Sequence, residues 1–357
     1  MPAKGGRVGA QVTVVGGGAV GLTCALAAID DGWRVRIYDD GPQRRAAQVA
    51  GGMLGCLGEA GPGDDALLEL SAESVARWPA LLARLNDPNI VVADDTLLIA
   101  GSAADRAYLD DAVAFLQARL PGARIVAQSA SELRAREPAL TRAPSGGYRL
   151  TGEGAVDNRA FLAALRRRLV DAGAELVERR VDDVADLAGE ATQVLIAAGL
   201  ESSSLVPGGL PGLRGEKGEI LRLRRTAESV PPPRHVIRGR WHGRNVYLVP
   251  RPGGLVLGAT QYESYDHSDR GPQAGGVADL LTDACELFPG LRTYELVEVS
   301  AGIRPMSDDG LPIVRRLDDR TIVAAGHGRN GFALSPGTAQ QVRKLLGSPA
   351  DYERNTA

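Results

Sequence analysis

Three glycines, Gly16, Gly18 and Gly21, follow an apolar run near the start of this 357-residue chain and lead into an alanine-rich stretch. An acid, Asp39, closes a second apolar run 23 residues after Gly16. This spacing predicts a strand, a tight turn, a helix, a second strand and an acid, in that order. The free N–H groups at the start of such a helix bind a pyrophosphate, and the acid accepts hydrogen bonds from a ribose. The motif therefore predicts a dinucleotide site, in which Gly21 lets helix and strand pack closely.

An arginine and a tyrosine in later segments are candidates for binding a small acid. Arg304 ends a predicted strand within Gly302-Ile-Arg-Pro305. A guanidinium can bind a carboxylate through two parallel hydrogen bonds, although a surface ion pair is the commoner fate of an arginine. Tyr247 lies in another predicted strand, where its hydroxyl can bind the same carboxylate or its ring can pack in the core.

A second glycine loop, Gly326-His-Gly-Arg-Asn-Gly331, precedes the last predicted helix. Free N–H groups and the helix dipole at this point favour negative charge nearby. The alternative is an ordinary strand-to-helix turn.

Composition limits the classes of function. The formal net charge is −3, so the chain has no electrostatic preference for nucleic acid. The run Arg166-Arg167-Arg168 belongs to the solvated face of a predicted helix. We expect no metal site, because the four histidines lack ligand spacing, and no membrane span.

The three cysteines predict a reducing environment. They are odd in number and have no paired spacing, so we expect no disulfide framework and a cytoplasmic protein. Cys24 and Cys285 fall in predicted helices as small apolar residues. Cys56 lies in a loop, where a passive thiol is favoured over a reactive one.

The order of elements predicts an α/β fold with two domains. A Rossmann-like dinucleotide-binding domain is predicted to be interrupted by an antiparallel β-rich domain that binds substrate. One helix is expected over 65–85, a strand pair over 90–100, and antiparallel hairpins over 219–259. The predicted ranges are 1–62, 150–212 and 302–357 for the first domain, and 63–149 and 213–301 for the second.

Several separated segments together resemble the D-amino-acid-oxidase-like flavoproteins, and within them the glycine oxidases of bacterial thiamine biosynthesis. The segments span Val12 to about Leu346. They are 16–39, Ala50-Gly-Gly-Met-Leu54, Val194-Leu-Ile-Ala-Ala-Gly199, Tyr247-Leu-Val-Pro-Arg251 with Gly258-Ala-Thr260, Gly302-Ile-Arg-Pro305 with Asp309-Gly-Leu-Pro312, and 326–331.

The resemblance implies non-covalent FAD, a glutathione-reductase-like two-domain architecture, a small amino acid as substrate and O2 as electron acceptor. It also implies a homo-oligomer. The implied substrate-site residues are Arg304 as carboxylate clamp, Tyr247 as its hydrogen-bonding partner, Arg329, and Met53 as a limit on pocket volume. The implied cofactor-binding residues are Gly16, Gly18, Ala19, Val20, Gly21, Asp39, Gly51, Gly52, Met53, Val181, Ala198, Gly199, Gly302, Gly328, Arg329, Asn330, Gly331 and Phe332.

The predicted reaction is hydride transfer from the α-carbon of glycine or a similar amino acid to flavin N5. H2O2, glyoxylate or its imine, and ammonia would be the products, with a role in making the thiamine thiazole. The alternatives are a D-amino-acid or sarcosine-type oxidase, a quinone-reducing dehydrogenase, and a redox-silent FAD-binding subunit. Three departures from the family pattern weaken the assignment of glycine. Asp39 replaces the usual glutamate, Gly51 replaces a common alanine, and Val314-Arg315 follow Ile313 where the family often has a glycine.

Overall fold

A computed structural model describes residues 10–55, 61–141, 144–187, 192–264, 266 and 268–349. Cys56 lies outside these ranges, so the prediction about its thiol is not addressed. The described strands form two sheets. They are β1 (Gln11–Val15), β2 (Arg34–Asp39), β3 (Val91–Ala100), β4 (Ile125–Gln128), β5 (Gly147–Val156), β6 (Glu175–Glu178), β7 (Gln193–Ile196), β8 (Arg214–Arg224), β9 (Val236–Trp241), β10 (Arg244–Arg251), β11 (Gly254–Gly258), β12 (Tyr262–Ser264), β13 (Glu295–Met306), β14 (Ile313–Arg316) and β15 (Thr321–Ala325).

The α-helices cover the faces and edges of these sheets. They are α1 (Ala19–Asp30), α2 (Ala46–Val49), α3 (Asp65–Val75), α4 (Trp78–Leu85), α5 (Ala103–Arg119), α6 (Ala130–Arg136), α7 (Asn158–Asp171), α8 (Ser202–Leu205), α9 (Ala274–Leu287) and α10 (Gly331–Leu346).

The first sheet has the order β14-β15-β7-β1-β2-β6 and is parallel except for β14. β1 pairs with β2 and with β7, as the glycine motif predicts for a dinucleotide-binding unit. Buried side chains of β1 and β2 pack with those of α1, α7 and α10 in one apolar core. The sheet thus presents the carboxyl ends of β1 and β7 beside the start of α1.

The second sheet has the order β12-β8-β11-β10-β9-β3-β5-β4, with β13 paired to β8. The hairpins β9–β10 and β10–β11 are antiparallel, as predicted. β8 pairs with β11 and β13 instead of with β9, its neighbour in sequence. β3 and β9 are parallel, which is possible because a long stretch of chain separates them. The predicted α/β class with a β-rich second part is confirmed.

Two predicted elements differ in the structure. The single helix expected over 65–85 is divided into α3 and α4, with Pro79 in the first turn of α4. Proline has no N–H to donate to the preceding turn, so it starts a new helix there. The strand pair expected over 90–100 is one strand, β3, which pairs with β5 through irregular register near its start.

The residue ranges of the two domains stay a prediction; β5 and β13, which span the predicted boundaries at 150 and 302, belong to the second sheet. Within the described ranges, no helix is long and apolar enough to span a bilayer. The same residues include no group of three His, Cys, Asp or Glu side chains placed to hold a metal ion.

Candidate functional site

A cavity of about 290 Å³ lies where the two sheets meet. One wall comes from the turn after β1, the loop 50–53, the turn after β7 and the loop before α10. The other wall comes from β10, β13 and the segment after β11. The predicted site residues on these walls are Gly16, Gly18, Ala19, Val20, Asp39, Gly51, Gly52, Met53, Val181, Ala198, Gly199, Tyr247, Gly302, Arg304, Gly328, Arg329, Asn330, Gly331 and Phe332.

The glycine turn has the geometry of an anion cradle. Gly16 has φ +118°, and a Cβ there would collide with the carbonyl oxygen of Ala197. A Cβ at Gly18 would meet nothing within 4 Å, so this residue borders open space. α1 begins directly after Gly18 without a side-chain cap, which leaves its first N–H groups for a ligand.

Gly21 does not line the cavity, unlike the other predicted cofactor-binding residues. A Cβ at this position would collide with the carbonyl oxygen of Gly16. Its role in the structure is therefore close packing of α1 on the turn, and its assignment as a direct cofactor contact is corrected to that packing role.

Asp39 is buried at the end of β2 and is already engaged by protein donors. Its carboxylate accepts a hydrogen bond from the N–H of Gly17 at 3.2 Å and from Arg166 Nη1 at 3.2 Å. Arg45 binds both of its oxygens. Sequence reasoning missed Arg45, although a basic residue six positions after the acid was a visible signal. The ribose contact of Asp39 stays a prediction.

Arg304 lies on β13, where it is in register with Glu216 of β8. Its Nη1 donates to Glu216 Oε1 at 3.1 Å, and both Nη1 and Nη2 lie 3.3 Å from the carbonyl oxygen of Thr260. The side chain crosses Gly218, where any Cβ would collide with the guanidinium. Arg304 is therefore a cavity-wall arginine held by the protein on one side, not a surface ion pair.

Tyr247 lies on β10, with its ring between two glycines. A Cβ at Gly51 would lie 3.0 Å from Tyr247 Cε2, and one at Gly258 would lie 2.6 Å from its hydroxyl oxygen. Gly51, the departure from the family pattern, thus makes room for the tyrosine. Met53 forms an isolated antiparallel β-bridge with Ala155 and lines the same cavity.

Arg251, four residues further along β10, fixes the loop next to Tyr247. It is buried, and its Nη2 donates to the carbonyl oxygen of Gly51 at 2.8 Å. Its Nε lies 3.3 Å from a carboxylate oxygen of Asp157, without the alignment of a hydrogen bond. Burial lowers the pKa of Arg251 to about 10, which leaves it charged at neutral pH.

The second glycine loop forms the floor of the cavity before α10. Gly328 has φ +55°, and a Cβ there would press on Met306. His327 is buried, and its Nε2 lies 2.8 Å from Thr338 Oγ1. Burial lowers the pKa of His327 to about 4, so its ring is neutral at pH 7. Arg329 is exposed on this loop.

The cavity also has polar residues that the sequence reasoning did not identify. They include Asp40, Arg45, Arg179, Arg180, Glu201, Ser204, Arg238, Asn245, Gln261 and Arg270. Arg238 is in register with Tyr247 on the adjacent strand β9. Gln261 directly follows the Gly258-Ala-Thr260 segment, which was its only sequence signal. Asn245 reaches the cavity from β10 and Ser204 from α8, and the others come from turns and loops whose positions depend on the folded chain.

Three comparisons place this geometry among known proteins. A family model described as FAD dependent oxidoreductase (DAO) matches residues 11–345. A putative thiamine biosynthesis oxidoreductase ThiO of Rhizobium etli is 31% identical over 97% of this chain and 100% of its own length. A D-amino-acid oxidase of Streptomyces coelicolor is 29% identical over 94% of this chain and 96% of its own. The crystal structure of glycine oxidase from Geobacillus kaustophilus has a TM-score of 0.83 at 30% identity, covering 94% of each chain.

The described residues fit FAD, the cofactor named in the family description. The open space at Gly18 and the uncapped start of α1 suit a pyrophosphate. The cavity continues from this turn to the wall that holds Tyr247 and Arg304, so a long cofactor can reach both sheets. The chain therefore belongs to the DAO family of FAD-dependent oxidoreductases.

Proposed function

We propose that this protein oxidises glycine or a similarly small amino acid. The observation that carries the proposal is Arg304, which lines the same cavity as Tyr247 and the glycine turn. A guanidinium and a phenol hydroxyl converging on one cavity suit a carboxylate. The names of the relatives, a ThiO and a D-amino-acid oxidase, support an amino-acid substrate.

The chain's own residues bind and orient the substrate. Non-covalently bound FAD supplies the two-electron acceptor. Arg304 donates two parallel hydrogen bonds to the carboxylate, and the Tyr247 hydroxyl adds a third. Holding the α-carbon in one orientation in this way contributes several kcal/mol to the rate, roughly, by proximity. The neutral ring of His327 adds no positive charge to the floor of the cavity.

We propose O2 as the final electron acceptor, with H2O2, glyoxylate and ammonia as products. The proposed physiological role is to supply the oxidised glycine unit for the thiamine thiazole. The similarity to the Rhizobium ThiO over nearly the whole of both chains supports this role. A homo-oligomeric state and a cytoplasmic location stay predictions.

Anaerobic mixing of the purified holoprotein with glycine tests the proposal. We expect glycine to bleach the flavin absorbance, and we expect air to restore the band with formation of H2O2. Failure of glycine, sarcosine and small D-amino acids to bleach the band would refute the proposed substrate class. A colourless or redox-silent protein would favour a binding subunit.

A second candidate is oxidation of small D-amino acids. The Streptomyces D-amino-acid oxidase, which matches nearly the whole chain at an identity close to that of the ThiO relative, favours it. A substrate panel that compares kcat/KM for glycine, sarcosine, D-alanine and D-proline separates the candidates. Peroxide yield compared with dye reduction separates an oxidase from a dehydrogenase.

A further inference from the structure

Glu216 lies behind the cavity wall, between two residues that line it. It is 5% exposed on β8. One carboxylate oxygen accepts the Arg304 Nη1 hydrogen bond at 3.1 Å. The other accepts a hydrogen bond from Gln261 Nε2 at 2.8 Å. A single buried carboxylate thus joins the arginine to a glutamine on the same cavity.

The contacts of Arg304 leave one particular edge of its guanidinium available. A guanidinium has five N–H donors in a planar fork. The two Nη1 hydrogens serve Glu216 and the Thr260 carbonyl, and one Nη2 hydrogen serves the same carbonyl. Among the described residues, the Nε hydrogen and the second Nη2 hydrogen have no acceptor. These two donors are parallel, which is the geometry that a carboxylate accepts from one side.

Gln261 presents an acceptor rather than a donor to the cavity. Only the N–H side of an amide can donate to a carboxylate, so the Glu216 contact fixes which end of the amide is nitrogen. The amide oxygen has no hydrogen bond to any residue that the structure describes. Gln261 is exposed and lines the same cavity as Arg304, so this oxygen is available to a ligand there.

We propose that Glu216 is a positioning residue for the whole amino-acid head group, which deepens the proposed function above and rests on it. Glu216 and the Thr260 carbonyl turn the Nε–Nη2 edge of Arg304 toward the substrate carboxylate. Glu216 also holds Gln261 so that its amide oxygen accepts a hydrogen bond from the substrate amine. Gln261 is thereby a specificity-determining residue for amines.

The charge of Glu216 opposes anion binding at Arg304, whereas its hydrogen bond positions Arg304 for it, and this difference makes the proposal testable. The negative charge of Glu216 weakens the attraction of Arg304 for an anion, so a purely electrostatic role predicts tighter anion binding without it. A positioning role predicts weaker binding, because a loose guanidinium must lose rotamer freedom on binding. The two roles therefore predict changes of opposite sign.

The first experiment measures the Kd of acetate, an unreactive carboxylate, from the change it causes in the flavin absorbance of the holoprotein. We expect Glu216→Ala to weaken acetate binding about tenfold, in line with the loss of one positioned charge-assisted contact. Equal or tighter binding in this variant would overturn the positioning role. If the wild-type protein itself does not bind acetate, the proposed function fails instead.

Glu216→Gln separates the positioning of Arg304 from the positioning of Gln261. It also tests the proposal if the alanine variant does not fold. Its amide oxygen still accepts from Arg304, which as a cation is the stronger donor. Its amide nitrogen then faces Gln261, whose amide must reverse to accept this hydrogen bond, so Gln261 presents N–H groups instead of an oxygen to the cavity. We expect acetate binding within about threefold of wild type, while the KM for the amino-acid substrate rises about tenfold with little change in kcat. An unchanged KM would refute the role of Gln261.

Gln261→Leu should reproduce the phenotype of Glu216→Gln, because acetate has no amine and needs no acceptor. Weaker acetate binding in this variant would contradict the division of roles. Glu263→Gln is the matched control, because it removes the same charge from a neighbouring position. Glu263 is exposed on β12, in register with Glu216, and does not line the cavity. We expect it to leave both acetate Kd and KM unchanged.

Discussion

Arg304 shows how one side chain divides its donors between the protein and the cavity. Three of its N–H groups bind Glu216 and the Thr260 carbonyl, and the remaining edge is available for a ligand. The tyrosine next to it is positioned differently, by the absence of side chains at Gly51 and Gly258. At the residue scale the site therefore depends on the direction of the Arg304 hydrogen bonds and on the room that two glycines leave for the Tyr247 ring.

Arg304→Lys should raise the KM for the amino-acid substrate at least tenfold, roughly, with a smaller effect on kcat. A lysine keeps the charge but loses the planar pair of donors. FAD absorbance of the purified variant should be unchanged. Arg315→Lys, an exposed arginine of β14, is the control, and equal kinetics for both variants would contradict the clamp.

Gly51→Ala should raise KM several-fold by displacing Tyr247. The new Cβ would lie 3.0 Å from the ring and 3.3 Å from its hydroxyl oxygen, which is tighter than ordinary packing. In a Tyr247→Phe background the same change should have little further effect, because no hydroxyl bond is left to lose. Gly275→Ala, where a Cβ meets nothing within 4 Å, is the control. Additive effects in steady-state kinetics would argue against this coupling.

At the scale of elements, the start of α7 holds α2 and the loop that follows it, which border the cavity. Asn158 is fully buried and donates to the carbonyl oxygens of Ala47 and Gln48 at 2.8 and 3.0 Å. Its own amide oxygen accepts from Arg222 at 3.0 Å. Arg251 holds the loop after α2 from β10. A helix that packs on the first sheet and a strand of the second sheet thus hold α2 and the loop after it.

Asn158→Ala should lower the free energy of unfolding by about 3 kcal/mol, because it removes two contacts to α2 and leaves the half-buried Arg222 without this acceptor. We also expect weaker FAD binding, since α2 and the loop after it border the cavity. Urea denaturation and FAD titration of the apoprotein measure the two effects. Asn89→Ala, at an exposed asparagine whose side chain donates to Asp87, is the control and should change the stability little. Normal FAD affinity in Asn158→Ala would show that these contacts do not contribute to cofactor binding.

At the scale of the whole molecule, buried ionisable groups make stability depend on pH. The pKa of His327 is lowered from 6.5 to about 4 by burial, so the folded state resists protonation more than the unfolded chain does. Between these values the unfolded state binds more protons, and stability therefore rises with pH. Glu298, paired with Arg159, has its pKa lowered to about 2, which acts in the same direction at lower pH.

We expect the free energy of unfolding to fall by at most about 3 kcal/mol on account of His327 as pH drops from 6.5 to 4. Urea denaturation at pH 7.5 and pH 5 measures the change. His327→Gln keeps a hydrogen-bonding side chain without a titrating ring, so its stability should change less between the two pH values. An identical pH dependence in both proteins would show that other groups are responsible.

Local patterns determined much of this protein from sequence alone. The glycine spacing and the apolar runs predicted the β1–α1–β2 unit, since turn, helix start and strand depend on neighbouring residues. The family resemblance then placed Arg304 and Tyr247 on one cavity, where the structure has both. Pro79 was a readable sign that the helix over 65–85 is divided, but the apolar pattern continues across it.

Only the tertiary structure decided which groups complete the site. Glu216 precedes Arg304 by 88 residues, and Arg166 lies 127 residues beyond Asp39. Such pairs depend on the order and register of strands and on how helices pack, which follow from burial across the whole chain. The residue types at these positions, acid and arginine, are common on any surface. What the sequence determined is therefore the set of local elements and their key residues, and what folding decided is which charges meet behind the cavity wall.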